Sequence, residues 1–108
     1  LNYNKKILHK IIAEFVENKF KDRKDYYSFL TDHYEKAEIS EKAIEYLIKA
    51  GNFAKAHYEN EKSIKFYDRL IGIMNKKREL TKSDKFKLAS VFSKRGEIFN
   101  LIGKWDNS

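Results

Sequence analysis

HYEKAEISEKAIEYLIKAG, residues 33–51, is the stretch on which the fold turns. Tyr34 ends one apolar stripe, a polar break follows, and Ala43, Ile44, Leu47 and Ile48 open another. Their three- and four-residue intervals match the 3.6-residue period of an amphipathic helix. Ser40 is suited to cap the second helix and Glu41 to sit in its first turn, where the helix dipole favours an acid. Gly51 suits the left-handed position after a last turn. Small side chains at Ala43 and Ala50 let two helix axes approach. Tyr34 and Leu47 are large enough to fill the space between them. The stretch therefore predicts two packed helices joined by a tight turn.

The same period extends in both directions. In KKILHKIIAEFVENKF, residues 5–20, Leu8, Ile11, Ile12, Phe15 and Val16 are expected on one buried face, and KDRKD ends that helix as a charged turn. Tyr27, Leu30, Tyr34 and Ala37 make the second stripe. After Gly51, Asn52 is expected to cap a short fourth helix, FAKAHYE, and Asn60 a fifth carrying Ile64, Tyr67, Leu70, Ile71 and Met74. Gly72 within it costs about 1 kcal/mol relative to Ala, which points to a close helix crossing. NKKRELTKSD is the longest polar connection. Ser83 or Asp84 then opens a sixth helix with Leu88, Val91, Phe92, Phe99 and Ile102, ended by Gly103, and KWDNS is expected to turn toward a further helix. Helices below about 12–15 residues are marginal alone, so each must lean on a neighbour, and the short loops predict antiparallel pairs.

Composition bounds the class. The 108 residues suit one domain; 42% are hydrophobic, 36% charged, and Tyr and Phe supply 15 of the 16 aromatic residues. Pro is absent and Gly occurs only four times, as in a run of helices. Without Cys there is no disulfide framework, thiolate zinc site or cysteine nucleophile. No apolar run reaches the roughly 18–20 residues of a membrane span, and no charged-then-apolar leader opens the chain, so a cytoplasmic location is expected. The net charge is +7 but not concentrated: residues 1–24 carry seven basic and three acidic groups, residues 25–50 three and six. That spread disfavours nucleic-acid binding, which prefers one basic stripe.

Two segments resemble the tetratricopeptide repeat. Tyr27, Leu30-Thr31 and Tyr34 on one helix, with Ala43, Leu47 and Ala50 on the next, match its helix-pair pattern. Ser63, Tyr67 and Leu70 repeat the second-helix spacing 20 residues later, and Phe92, Arg95-Gly96 and Phe99 resemble its first helix, with Gly103 and Trp105 in the following turn. Thr31 and Arg95 depart from the pattern, and the repeat-ending Pro is missing. The resemblance implies an all-α fold: antiparallel helix pairs stacked as a tetratricopeptide-like right-handed superhelix of about six helices with irregular repeats. Residues 1–22 would form an N-terminal amphipathic helix and charged turn, and residues 23–108 the repeats, truncated within the last. ILHKIIAEFVE followed by AIEYLIKAG and AKAHYENEKSIKFYDRLI is also similar to the helical region after the ATPase module of signalling ATPases and class III nucleotide cyclases.

No motif for catalysis stands out. Asp32 and His33 are sequence neighbours and point about 100° apart on a helix. His9, His33 and His57 lie 24 residues apart each time, without metal-ligand spacing, and are expected at or near the surface. Lys76, Lys77 and Arg78 suit a solvated loop better than a nucleic-acid patch. Neither metal nor cofactor is expected. The tetratricopeptide resemblance implies a groove lined by Asp25, Ser28, Asp32, Glu35 and Lys36 in the first repeat and by Ser90, Ser93, Glu97 and Asn100 in the last. These residues lack the Lys/Asn/Arg clamp for a C-terminal carboxylate and would suit a basic or neutral helical segment. The expected function is a non-catalytic protein-interaction or scaffolding module, its partner a protein, a peptide or a neighbouring domain. The alternatives are a regulatory helical segment of a nucleotide cyclase or signalling ATPase, and a basic nucleic-acid-binding domain.

Overall fold

A computed structural model describes residues 2–106, with side chains over residues 4–103. The described residues form five α-helices: α1 (Asn2–Lys19), α2 (Tyr27–Lys36), α3 (Ser40–Ala56), α4 (Asn60–Asn75) and α5 (Lys82–Asp106). A 3-10 turn, Lys24–Tyr26, leads into α2. The chain divides into two compact units, residues 1–50 and 51–108, and the division falls inside α3.

In the first unit α1 packs on α2, and the core holds Ala13, Val16, Leu30, Tyr34, Ala43, Ile44, Tyr46 and Leu47. The Tyr34 and Tyr46 rings lie parallel, 6.0 Å between centroids. Thr31 is fully buried, and its Oγ1 has no hydrogen-bond partner among the described residues. The buried face of α1 differs from the expected one. Val16 is buried as expected and Ala13 joins it, while Leu8, Ile11 and Phe15 face outward. At 100° per residue α1 carries apolar side chains on two faces, and the sequence pattern does not say which one packs.

In the second unit α4 packs on α5, and the core holds Ala54, Ser63, Tyr67, Leu70, Met74, Val91 and Ile98. Phe92 and Phe99, expected in the core, are 51% and 46% exposed. Val91 is buried as expected, and Ile98, one residue before Phe99, joins it on the inner face.

The glycines behave unlike expectation. Gly51 ends nothing: α3 continues through it to Ala56, no glycine has a positive φ, and the expected third and fourth helices are one. Five helices thus replace six. Asn52 is not a cap but a mid-helix acceptor, taking hydrogen bonds from Tyr67 Oη at 2.6 Å and Lys94 Nζ at 3.1 Å. Gly51 is used for close approach. A Cβ there would meet the Tyr67 ring, with Cδ1 only 2.7 Å away. Gly72 and Gly96 would meet nothing within 4 Å, so neither marks a crossing. Gly103 is helical as well, and α5 runs past the expected turn at Trp105 to Asp106; residues 107–108 lie outside the described residues.

Those contacts fix an expected contrast. Gly51→Ala should destabilise by about 1–2 kcal/mol, the overpacking cost less the gain in helix propensity. Gly96→Ala should instead stabilise by up to about 1 kcal/mol. Urea unfolding of both variants checks this, and a Gly51→Ala protein as stable as Gly96→Ala would refute the close-approach role.

The helix ends show chemistry the sequence pattern had obscured. α2 and α3 both close with a left-handed residue, Glu38 (φ 57°) and Tyr58 (φ 59°). The flanking hydrogen bonds match: Ile39 N donates to Tyr34 O and Glu38 N to Glu35 O; Glu59 N donates to Ala54 O and Tyr58 N to Lys55 O. Both are Schellman turns, with residues other than glycine in the left-handed position. α5 opens at Lys82 through a reciprocal cap, Thr81 N donating to Asp84 Oδ2 and Asp84 N to Thr81 Oγ1, each at 3.0 Å. Asp84 is buried there and also accepts from Lys77 Nζ at 3.1 Å.

Candidate functional site

The positions expected to line a groove lie on α2, on the 3-10 turn before it and on α5. Ser28, Asp32 and Glu35 share one side of α2, with Lys36 beside them exposed. Asp25 lies in the 3-10 turn and pairs with Arg23 at 2.9 Å. Ser90, Ser93, Glu97 and Asn100 share one side of α5, where Glu97 pairs with Lys55 at 2.9 Å. The first set belongs to the first unit and the second set to the second.

The most developed polar cluster was not singled out from the sequence. Glu17, near the end of α1, accepts from Tyr34 Oη at 2.7 Å, Tyr46 Oη at 2.5 Å and Lys42 Nζ at 3.0 Å. One carboxylate thus ties α1 to α2 and α3. Burial pushes its pKa up, but the Tyr46 and Tyr34 hydroxyls and Lys42 outweigh that and hold it below the usual value. Burial and then the hydrogen bond to Glu17 push both tyrosines well up, while the bond to Glu17 raises Lys42. Near neutral pH the cluster is therefore an ionised acceptor with three protonated donors. Such a set fastens helices together; none of its members is poised to exchange a proton. The adjacent surface cleft, about 410 Å³, is lined by Lys10, Glu14, Glu17, Tyr34 and Lys42. No sequence signal pointed to it, since Glu17 lies 17 residues from Tyr34 and 29 from Tyr46.

Two histidines that sequence separation had kept apart meet in the first unit. His9 Nδ1 on α1 and His33 Nδ1 on α2 are 2.9 Å apart, and the Phe29 ring stands 4.3 Å from the His33 ring. Among the described residues no group of three or more His, Cys, Asp or Glu could hold a metal ion. His57 lies in the second unit, its Nδ1 2.9 Å from Phe53 O.

The largest open apolar surface of the first unit is the outer face of α1. Leu8, Ile11 and Phe15 are 55%, 59% and 61% exposed and follow each other at helical spacing, with Ile7 at their edge. Lys5 and Lys19 fall on one margin of this stripe by helical register, and Lys19 Nζ stands 5.6 Å over the Phe15 ring. Glu14 and Lys10 stand on the other margin and pair with each other at 3.8 Å. In the basic run Lys76–Arg78, Lys77 is committed to buried Asp84. No helix among the described residues is long and apolar enough to cross a membrane. Set against protein-family models, curated proteins and solved structures, the chain finds no match in any of the three.

Proposed function

We propose that the chain is a non-catalytic protein-interaction module, a tetratricopeptide-like array of antiparallel helix pairs, whose α1 takes an amphipathic helix of a partner protein. The supporting observation is the outer stripe of α1. A helix anchored on one face by Ala13, Val16 and the Glu17 cluster leaves Leu8, Ile11 and Phe15 more than half exposed on the other. An open apolar stripe with a polar margin is the usual form of a helix-docking surface. The margin selects the partner: Lys5 and Lys19 favour a helix whose flanks carry Asp or Glu. In a longer signalling ATPase or nucleotide cyclase, the same face would take a helix of a neighbouring domain.

The test uses two synthetic 18-residue helices with the same leucine stripe, one flanked by glutamates and one by lysines. The glutamate form should shift amide resonances of α1 in the intact chain. Ile11→Asp should weaken its binding at least about ten-fold, the loss of roughly 1.5 kcal/mol or more of apolar burial. Equal binding of both helices, or no shift on α1, would overturn the proposal. Binding to anionic vesicles but to neither helix would replace it with a membrane-surface role.

A further inference from the structure

His9 and His33 sit where α1 meets α2, on the side of α1 away from the Leu8, Ile11 and Phe15 stripe. With Nδ1 facing Nδ1 at 2.9 Å, one imidazole must donate and the other accept. The ring centroids are 5.1 Å apart, so the two nitrogens point almost straight at one another. The neutral pair and the singly protonated pair both keep this bond, because a proton taken up on the donor's Nε2 leaves its Nδ1–H donating. Only when both rings are protonated do both Nδ1 atoms become donors and two positive charges face each other. We propose that this pair is a proton-operated catch, which holds α1 on α2 at neutral pH and loosens it under weakly acidic conditions. It acts on the seating of α1, whatever α1 binds, and so goes beyond the docking role.

The surroundings work against a second proton more than for it. On α2, Lys36 opposes it and Asp32 favours it. On α1, Lys6 is engaged with Glu38, in the turn after α2, at 2.8 Å, and Lys10 with Glu14. Lys5 adds a further positive charge one turn from His9. From α3, Lys42 is held by Glu17. Burial first, then His9, then Lys36, keep the His33 imidazole below its usual value of 6.5. Because the folded value is the lower one, the unfolded segment takes up the proton first as pH falls. The stabilisation is complete above about 6.5 and is lost as pH drops through the lower, folded value. Glu17 does not interfere: its carboxyl, held below 4.5, stays charged throughout this window.

Amide hydrogen exchange of the full chain, followed residue by residue and corrected for intrinsic pH effects, tests the catch. Between about pH 7.5 and pH 5.5, protection of the α1 amides around Ala13 and Val16 should fall, approaching ten-fold per pH unit once the pair titrates. Amides of α4 should change less than two-fold. The His9→Gln, His33→Gln double variant should lose this pH dependence while keeping an inter-helix hydrogen bond. Constant α1 protection in the wild type, or the same fall in the double variant, would overturn the proposal. If the double variant does not fold, the imidazole resonances of the wild type decide. A coupled pair with one member titrating below 6.5 supports the catch, and two independent titrations at the ordinary value refute it.

Discussion

Tyr34→Ala is expected to lower the unfolding free energy by about 3–5 kcal/mol, the usual cost of truncating a buried aromatic. Tyr34 is 1% exposed and lies parallel to Tyr46, and its hydroxyl donates to Glu17. The substitution removes a ring from the middle of the first unit and one of the three bonds that Glu17 accepts. Tyr34→Phe separates the two contributions. It keeps the ring and should cost about 1–2 kcal/mol, a hydrogen bond to a charged acceptor. Against a total stability of about 5–15 kcal/mol, that loss is a large fraction of the whole. Urea unfolding followed by helical circular dichroism reads both. A loss below 1 kcal/mol for Tyr34→Ala would mean that the ring is not packed as described.

The second large effect belongs to Glu17. Glu17→Ala should cost about 2–3 kcal/mol, because it strands two tyrosine hydroxyls and Lys42 at once. The neighbouring cleft keeps the figure from rising further, since water can reach the vacated acceptor position. Glu17→Gln retains an acceptor oxygen and should cost about 1 kcal/mol at neutral pH. Its pH dependence is the sharper test. The Glu17 carboxyl is held below its usual 4.5, so on acidification the unfolded chain protonates first. This part of the stability is complete above about 4.5 and is lost as pH falls through the folded value. The gap between wild type and Glu17→Gln should therefore narrow from about pH 6 to about pH 3. A gap of constant size would show that the carboxylate charge contributes nothing.

Much of the fold could be read from the sequence, and its failures have particular causes. Tyr34, Ala43, Leu47 and Ala50 are all buried, as are Ser63, Tyr67 and Leu70. These positions lie on helices with a single apolar face, where the period leaves no choice. α1 and α5 each carry two, and there the expected core included Leu8, Phe15, Phe92 and Phe99, which turn outward. Gly51 was expected to stop a helix because glycine is the common terminator. The decisive partner was Tyr67, sixteen residues away, whose ring occupies the space a side chain would need. Glycine's local preference is worth only about 1 kcal/mol, and packing overrules it. The candidate sites were harder still to read. The His9–His33 contact and the Glu17 cluster each join residues from different helices, and no local spacing encodes such meetings. Nor did the helix-end motifs stand out, because Glu38 and Tyr58 occupy left-handed positions without being Gly or Asn.

The paired Schellman turns have a consequence for how such a chain can grow. They stand 20 residues apart with the same bonds, so residues 39–58 form a complete cassette: one helix, its buried stripe and the turn that hands the chain on. A tandem copy of that cassette would supply its own terminator and its own packing face, needing no new joint. Length changes in whole cassettes preserve the pattern, and a partial copy would break it.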